Sequence, residues 1–376
     1  MISILFIMHM PPPVHGASMM GKYIHDSRII NDTFDCYYIN LTTAKDLADI
    51  GKVGFGKVKS FARLLHTIKT EVKRLGPDLV YVTPNACGGA FYKDFIVVQM
   101  LKRMGCRIVV HYHNKGVATR QERMLDNCLY KLFFKELKVV LLAEALYNDV
   151  KKYVSRDNVY ICPNGIPETL PLGAKTEREN DVPHILFLSN LIVSKGVLVL
   201  LDALKELRQR GREFQCCLVG GETLELDGDG LNTYLTGSGL NDCVKYEGRK
   251  YGDEKAEYFE NADIFVFPTF YHNECFPLVC LEAMEWKLPV VSTDEGGIPD
   301  VVKDGENGFI IQCQRNGNIN YGPSSTDLAD ALERLIDNPE LRHRMGENGY
   351  KKFKKEFTLQ AFERNFVKSL QWAISR

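Results

Sequence analysis

The sequence lacks the features that mark membrane-spanning, secreted and zinc-scaffold proteins. No apolar run approaches the roughly 20 residues that a membrane-spanning helix needs. The run Ile2–Met8 is short and has neither a basic leader nor a cleavage site, so it indicates a buried first strand rather than a signal peptide. The 11 cysteines form no C-x-x-C pair or other zinc spacing, and their odd number is typical of reduced thiols. We therefore expect a cytoplasmic protein without a bound metal.

A strong net charge is also missing, which removes nucleic acid from the expected partners. The formal net charge is −1, the sequence pI is about 6.8, and no surface motif of interleaved aromatic and basic residues is present. The two halves nevertheless differ. Residues 1–170 carry 23 basic and 15 acidic side chains, whereas residues 171–376 carry 24 and 33. Two explanations stay open: ordinary surface variation, or an anionic partner of the first half, such as a membrane surface or a phosphorylated acceptor.

What the chain does contain is a repeated alternation of strand and helix patterns. Its 376 residues, 45% hydrophobic and 25% charged, are typical of a globular protein long enough for two domains. Apolar runs in the first half predict strands over Ile2–Met8, Asp78–Thr83, Arg107–Tyr112, Lys138–Ala143 and Asn158–Cys162. Helical patterns lie between them at Ala17–Asp26, Lys57–Leu75, Ala90–Met104 and Arg120–Lys135. This alternation predicts an α/β fold with a doubly wound parallel sheet.

A second series follows a stretch, ending at Val182, that is rich in proline, glycine and charge and suits a linker. Its predicted strands are His184–Ser189, Gln215–Val219, Asp263–Phe267, Pro289–Ser292 and Phe309–Ile311. Its predicted helices are Val197–Gln209, Pro277–Glu285, Thr326–Asp337, Pro339–Phe357 and Leu359–Ile374. We therefore expect two doubly wound domains, residues 1–170 and 171–357, followed by a terminal helix over 358–376.

The residues that follow the predicted strands are the first candidates for a site, because open parallel sheets bind ligands beyond the carboxyl ends of their strands. The proline-rich loop 11–16, His113, Lys195 and Glu274 all occupy such positions. If the two domains face each other, these four features meet at one cleft between them.

The most informative segment is Asn273–Met284, in which Glu274 and Glu282 stand eight positions apart. Pro277 suits the first turn of a helix, where its missing N–H costs nothing. Backbone N–H groups in the stretch Cys275–Leu278 would then be free to bind a phosphate at the helix N-terminus. Glu274 could reach the hydroxyls of a sugar attached to that phosphate, and Glu282 could still face the ligand. The segment therefore predicts a nucleotide-sugar site.

This segment resembles the Glu-x7-Glu motif of the retaining glycosyltransferases of family 4, also called glycosyl transferases group 1. Further stretches agree with that family in order along the chain, namely Pro11–Ala17, Val109–His113, Cys162–Ile166, Ser194–Gly196 and Glu295–Pro299. The resemblance covers almost the whole chain and is strongest from about Ile161 to Ile311. It implies the GT-B fold, in which two Rossmann-like domains face each other across a cleft and the C-terminal helix crosses back onto the N-terminal domain.

The resemblance also implies the reaction, which is transfer of a hexose from a UDP- or GDP-sugar with retention of configuration and without a cofactor or metal. Cations and N–H dipoles must then neutralise the charge that builds on the departing diphosphate. Lys195 is the first candidate for that cation. The donor-binding segment beside it comprises Cys275, Phe276, Pro277 and Leu278. Glu274 resembles the residue that contacts the donor sugar, and Glu282 resembles the one that holds the ribose.

Further positions are assigned by the same resemblance. His113 corresponds to a residue near the transferred sugar, although an ordinary structural histidine would explain it as well. Gly16 corresponds to the loop beside the diphosphate, and Gly220 to backbone around the nucleotide base. His111, two positions before His113 on the same face, is expected to lie deeper in the core.

One position departs from the family pattern. Asn190 stands where an arginine is usual, five positions before Lys195. The departure removes one guanidinium from the expected diphosphate site, and it leaves Arg249 and Lys250 as substitute cations.

Three other patterns have simpler explanations than the ligand sites they suggest. Gly16–Tyr23 nearly matches a P-loop, but Tyr23 replaces the Ser or Thr that binds Mg²⁺, so a first helix carrying a lysine is simpler. Asp227-Gly228-Asp229 spells the Asp-x-Asp of metal-dependent glycosyltransferases, yet its polar, glycine-rich surroundings predict a solvated loop. The basic amphipathic stretch Lys57–Leu75 could lie on anionic lipid, but packing of its apolar stripe on the sheet is the favoured explanation.

We therefore expect a cytoplasmic retaining glycosyltransferase that moves a sugar to a saccharide or lipid-linked acceptor in bacterial surface polysaccharide biosynthesis. A basic first domain would allow a peripheral contact with the inner face of the membrane. Two alternatives stay open. A nucleotide-sugar 2-epimerase of the same fold would need further acid–base groups, and a non-catalytic subunit would bind the nucleotide sugar without turnover.

Overall fold

The structure is a computed structural model that describes residues 1–12, 16–41, 55–169, 182–317 and 319–375. The chain folds into two compact units. Unit 1 contains Met1–Gly165 and Leu359–Arg376, and unit 2 contains Ile166–Thr358. Residues 13–15 of the proline-rich loop and residues 170–181 of the expected linker lie outside the described residues.

The strands of unit 1 form one parallel six-stranded sheet. They are β1 (Ser3–Met8), β2 (Asp35–Asn40), β3 (Leu79–Val82), β4 (Ile108–His111), β5 (Lys138–Leu141) and β6 (Val159–Ile161). Their order across the sheet is β2-β1-β3-β4-β5-β6. Residues 4–8 of β1 are all buried, which explains why this strand is an unbroken apolar run, as strands covered on both faces are.

The helices of unit 1 come from both ends of the chain. They are α1 (Gly16–Asp26), α2 (Arg28–Thr33), α3 (Phe55–Leu75), α4 (Gly88–Arg103), α5 (Val117–Arg120), α6 (Met124–Phe134), α7 (Tyr147–Val150) and α15 (Leu359–Ile374). The buried ring of Phe366 in α15 lies 5.3 Å from the ring of Tyr81 in β3 and 6.1 Å from that of His111 in β4. The last helix of the chain is therefore part of the core that begins with its first strand.

Unit 2 repeats the design with a second parallel six-stranded sheet. Its strands are β7 (His184–Leu188), β8 (Gln215–Val219), β9 (Val244–Tyr246), β10 (Ile264–Phe267), β11 (Val290–Thr293) and β12 (Gly308–Ile311). Their order is β12-β11-β10-β7-β8-β9. A separate antiparallel hairpin is formed by β13 (Cys313–Asn316) and β14 (Ile319–Pro323). The helices are α8 (Val197–Gln209), α9 (Gly228–Ser238), α10 (Gly252–Glu260), α11 (Leu278–Glu285), α12 (Ile298–Val301), α13 (Ser325–Ile336) and α14 (Pro339–Glu356).

The prediction of an α/β protein with two doubly wound parallel sheets is confirmed. Three local predictions differ from the structure. The helix expected over Arg120–Lys135 is broken at residues 121–123 into α5 and α6. Pro277 precedes α11 as its N-cap instead of standing in the first turn, because its ψ of 115° is still extended. Asp227 and Asp229 are exposed as expected, but they begin a helix instead of lying in a loop: Asp227 caps α9, where its carboxylate accepts a hydrogen bond from the Gly230 N–H.

The basic helix α3 has the expected amphipathic character. Ile68 and Val72 are buried, while Lys69 and Lys73 on the same helix are exposed. This distribution agrees with packing of the apolar stripe against unit 1. Within the described ranges, no helix combines the length and hydropathy that crossing a membrane requires.

Candidate functional site

The sheet order of unit 2 selects one place for a ligand. From β7 the chain goes to β8 on one side, and later returns with β10 on the other side. In open α/β sheets the crevice outside the carboxyl ends of two such strands is where ligands bind. Lys195 follows β7 and Glu274 follows β10, so both predicted site residues occupy this switch point.

Lys195 and Glu274 form a direct ion pair. The Lys195 Nζ lies 2.5 Å from the Glu274 Oε2, and the two side chains are 17% and 9% exposed. The same ammonium group stands 4.7 Å from the centre of the Tyr271 ring and 5.3 Å from that of Phe267, distances typical of cation–π contacts. The Phe270 N–H donates to the Ser194 carbonyl at 2.8 Å and joins the two loops. The predicted cation and the predicted sugar-binding carboxylate are thus brought together.

The loop after β11 supports the Glu274 segment from behind. The Gly297 N–H donates to the Cys275 carbonyl at 2.7 Å. Gly296 has φ +59°, and a Cβ at this position would lie 2.3 Å from the Glu274 carbonyl oxygen, so only glycine allows this approach. This contact brings the Glu295-Gly296-Gly297 sequence and the Glu-x7-Glu segment together in one site.

The start of α11 has the form of an anion site. The first N–H groups of a helix have no acceptor within it, and the dipole makes this end positive. Here the Cys280 N–H donates to the Pro277 carbonyl at 3.2 Å. The segment Cys275–Leu278 leads into α11 directly after Glu274, the residue that holds the Lys195 ammonium.

Glu282, the second carboxylate of the motif, also forms an ion pair with a lysine, Lys255. The Lys255 Nζ in α10 lies 2.5 Å from the Glu282 Oε1 in α11, and the side chains are 27% and 22% exposed. The other oxygen, Oε2, is buried and has no hydrogen-bond partner among the described residues. Lys255 was not predicted, because nothing in the local pattern of residues 252–260 shows that α10 lies beside α11.

Asn190, Gly220 and Arg249 meet at the carboxyl ends of β7 and β8. The Asn190 Oδ1 accepts a hydrogen bond from the Gly221 N–H at 3.1 Å. A Cβ on Gly220 would lie 1.8 Å from the Ser189 carbonyl oxygen, so the two loops touch through backbone. The Arg249 guanidinium lies directly over Gly221. Asn190 therefore bonds to backbone, while Arg249 places a cation at the same turn; Lys250 follows it and is half-buried.

A network from the β13–β14 hairpin reaches the same edge. The buried Glu295 accepts a hydrogen bond from the Asn320 Nδ2 at 2.6 Å and lies 3.5 Å from the Arg315 guanidinium. Arg315 also bonds to both oxygens of Asp294. Burial, the largest influence, would raise the pKa of Asp294, but the Arg315 contacts and the hydrogen bond from the Cys313 N–H together outweigh it and keep that pKa below its usual value. The hairpin thus fastens the residue that precedes Gly296.

In unit 1, His113 follows β4 as predicted and is half-buried. Its ring centre lies 4.3 Å from that of His111. His111 is fully buried, as expected, and its Nδ1 lies 2.8 Å from the Tyr81 hydroxyl. Burial, together with the neighbouring His113, holds the pKa of His111 well below its ordinary value, so His111 is neutral.

The other predicted position of unit 1 is Gly16, which is the exposed first residue of α1. The loop ahead of it is anchored by Asn40, whose side chain bonds to the N–H and the carbonyl of Met10. The near P-loop sequence is helical, and Lys22 within it pairs with Asp26 on the next turn. In the described part of the chain, no group of three or more His, Cys, Asp or Glu side chains is arranged to hold a metal ion.

Comparison with known proteins agrees with this geometry. Residues 172–352 match the model of the glycosyl transferases group 1 family. A glycosyltransferase of Methanocaldococcus jannaschii, itself uncharacterized, is 27% identical over 294 residues, which cover 77% of this chain and 74% of that protein. The capsular polysaccharide biosynthesis glycosyltransferase CapM of Staphylococcus aureus is 28% identical over 182 residues, 48% of this chain and 44% of CapM. The chain thus spans less than half the length of this bacterial relative.

Among solved structures, the HepE protein of Anabaena in complex with UDP superimposes with a TM-score of 0.73. The alignment covers 98% of this chain and 100% of that one. Because the sequence identity is only 17%, the similarity is evidence for the fold alone. The chain therefore has the GT-B fold, and most of its unit 2 matches the glycosyl transferases group 1 family.

Proposed function

We propose that the protein is a retaining, metal-independent glycosyltransferase that uses a nucleoside-diphosphate sugar. The observation that carries the proposal is the Lys195–Glu274 ion pair at the switch point of unit 2, next to the start of α11. A cation and a helix N-terminus suit a diphosphate, and a carboxylate beside them suits sugar hydroxyls.

In the proposed reaction, the bond between the anomeric carbon and the donor diphosphate breaks while the acceptor oxygen bonds to the same face. The acceptor proton passes to the departing phosphate oxygen. Lys195, helped by Arg249 and Lys250, neutralises the charge on that phosphate, as do the N–H groups at the start of α11. Glu274 holds the sugar and Glu282 holds the ribose. His113, near the transferred sugar, and Gly16, beside the diphosphate, keep the roles that the family resemblance implies.

Two observations support chemistry without a metal. Lys195 already supplies a positive charge where the diphosphate is expected. The Asp-x-Asp sequence, which would be the obvious metal ligand, uses Asp227 to cap α9. Relatives such as CapM favour an acceptor, either a saccharide or a lipid-linked one, that belongs to bacterial surface polysaccharide synthesis on the cytoplasmic side.

The test is thermal stabilisation by UDP, GDP, ADP and CMP and by their sugar conjugates, with Mg²⁺ or with EDTA. A ligand present at 100 times its Kd should add about 2.7 kcal/mol of stability. We expect a single nucleoside diphosphate to stabilise the protein equally in EDTA, and Lys195→Met to lose most of that shift. The matched control is Lys205→Met, which removes an exposed lysine of α8 and should leave the shift unchanged.

Turnover assays with the stabilising sugar nucleotide separate the alternatives. Sugar transfer that survives EDTA and keeps the anomeric configuration supports the proposal. Formation of the 2-epimer without an acceptor would indicate the epimerase instead. Binding without any turnover, across a panel of saccharide and lipid-linked acceptors, would indicate a non-catalytic subunit. Stabilisation by none of the nucleotides would refute the donor site itself.

A further inference from the structure

Lys255 and Glu282 form an unusual arrangement for a surface ion pair. Their N–O distance is 2.5 Å, and both side chains are mostly buried, one in α10 and one in α11. A carboxylate can accept up to four hydrogen bonds through its two oxygens. Here Lys255 meets Oε1 alone, while Oε2 is buried without a partner in the described part of the chain.

A buried carboxylate oxygen without a donor is costly, and such groups in native structures call for an explanation. Glu282 lies in α11, the helix that begins four residues after Glu274, the partner of Lys195. A ligand hydroxyl is the donor that would satisfy the Glu282 Oε2. The ammonium of Lys255 fixes the Glu282 rotamer through the opposite oxygen, so that Oε2 is in place before the ligand arrives.

We propose that Lys255 is a positioning residue of the donor site, holding Glu282 so that its free oxygen accepts a hydrogen bond from a ribose hydroxyl of the nucleotide. The inference rests on the proposed function, because it needs a nucleoside diphosphate in unit 2. Lys255 would act through Glu282. Discrimination between ribonucleotides and deoxyribonucleotides would therefore depend on a lysine in another helix, α10.

The test measures Kd for UDP, GDP and ADP and for their 2′-deoxy and 3′-deoxy counterparts by titration calorimetry. In the unmodified protein, at least one deoxy form should bind about tenfold more weakly than the ribonucleotide, the value of one hydrogen bond to a charged group. In Lys255→Met, the Kd of the ribonucleotide should rise about tenfold while that of the deoxy form changes less than about twofold. The preference for ribose should therefore fall below about threefold. Lys255→Arg, which keeps the charge, should restore most of it.

Two controls separate positioning from folding. Lys205→Met, at an exposed site of α8, should leave every Kd unchanged. Thermal unfolding without nucleotide should show that Lys255→Met is folded; a purely structural role would weaken ribo and deoxy forms by the same factor. That outcome, or an unchanged ratio in Lys255→Met, would overturn the inference while leaving the donor site in place. If none of the three nucleoside diphosphates binds the unmodified protein, the proposed function fails and the inference fails with it.

Discussion

Glu274 and Lys195 neutralise each other, which couples two roles that would otherwise be separate. Both side chains are largely buried, so removing one partner leaves the other charge in a poorly solvated place. Under the proposed function, a donor must part the pair, since the diphosphate would need the ammonium and the sugar would need the carboxylate. The ion pair would therefore hold the cation in position and also compete with the ligand for it.

Substitution of Glu274 should therefore separate nucleotide binding from sugar transfer. In Glu274→Ala, kcat/KM for transfer should fall by about a hundredfold or more, because contacts to the sugar are lost. The Kd of the free nucleoside diphosphate should stay unchanged or tighten a few-fold, because Lys195 is released to it. Glu274→Gln, which keeps the size but not the charge, should show the same split. Equal losses in kcat/KM and in nucleotide affinity would contradict the role given to Glu274.

Asp94 in α4 gives unit 1 a pH dependence of its own. Its buried carboxylate accepts hydrogen bonds from the backbone and the side chain of Asn85 and so holds the turn after β3. Burial raises its pKa from 3.8 to about 6, and the Asn85 bonds oppose that shift only in part. The folded state thus favours the protonated acid. The stability from this group is fully present below about pH 4 and is lost as pH rises through about 6.

Asp94→Asn removes this titration while keeping an acceptor oxygen for Asn85. Relative to the unmodified protein, the variant should gain melting temperature above pH 7, and the gain should vanish towards pH 4.5. The full effect is on the order of 3 kcal/mol at most. Melting curves at several pH values measure the difference, in which other titrating groups cancel. Asp157→Asn, at an exposed carboxyl of the same unit, should show no such trend; a difference independent of pH for Asp94→Asn would disprove the assignment.

At the scale of elements, the sequence predicted all eight central strands of the two sheets but only two of the four edge strands, β6 and β12. β1 and β10 are buried along their length and are recognisable as apolar runs. β2 and β9 lie at the edges of their sheets, and their mixed sequences, Asp35–Asn40 and Val244–Tyr246, gave no strand prediction. An edge strand has a neighbour on one side only and tolerates polar residues, so its periodicity is weak.

The loop after β11 shows how an element far from Glu274 in sequence shapes the site. In Gly296→Ala, the new Cβ would meet the Glu274 carbonyl oxygen at 2.3 Å, and the residue would also keep a positive φ. Gly305→Ala is the matched control, because Gly305 has φ +73° but nothing within 4 Å of the new Cβ. We expect the control to cost about 1 kcal/mol and Gly296→Ala roughly 2–5 kcal/mol.

Melting temperatures compare the two variants, at about 2–4 °C for each kcal/mol in a unit of this size. Gly296→Ala should also weaken binding of the nucleoside diphosphate, because the displaced Glu274 segment carries the start of α11. Gly305→Ala should bind normally. Equal destabilisation by the two substitutions would mean that the loops move apart without an energetic cost. The close approach of Gly296 to the Glu274 carbonyl would then not stabilise the site.

For the whole molecule, sequence motifs identify the site residues that lie within short segments. The remaining site residues can be identified only from the folded structure, because their partners are distant in sequence. Glu274, Glu282 and Lys195 were recognised because each stands in a characteristic stretch of sequence. Lys255 and Asn320 were not, since their partners Glu282 and Glu295 lie 27 and 25 positions away and only the folded chain brings them together. Long-range pairs of this kind leave no periodic trace in a single sequence.

The path of the chain makes unit 1 depend on the C-terminus. Helix α15 is separated from β6 by the whole of unit 2, yet its buried Phe366 contacts the rings of Phe6, Tyr81 and His111. The Tyr81 hydroxyl in turn forms a hydrogen bond with His111, whose ring lies 4.3 Å from that of His113. The last helix thus supports the layer that carries the candidate residue of unit 1, and damage to it should appear in strands almost 300 residues earlier, such as β3.

Phe366→Ala tests this dependence. Removing a fully buried phenylalanine typically costs 3–5 kcal/mol. Hydrogen exchange should therefore show faster opening in β1, β3 and β4, whereas β7 and β10 of unit 2 keep their protection and nucleotide still stabilises that unit. Lys368→Ala, at an exposed position of the same helix, should change neither set of strands. If β1 and β3 kept normal protection in Phe366→Ala, α15 would be an accessory helix, and unit 1 would need nothing beyond residue 165 to fold.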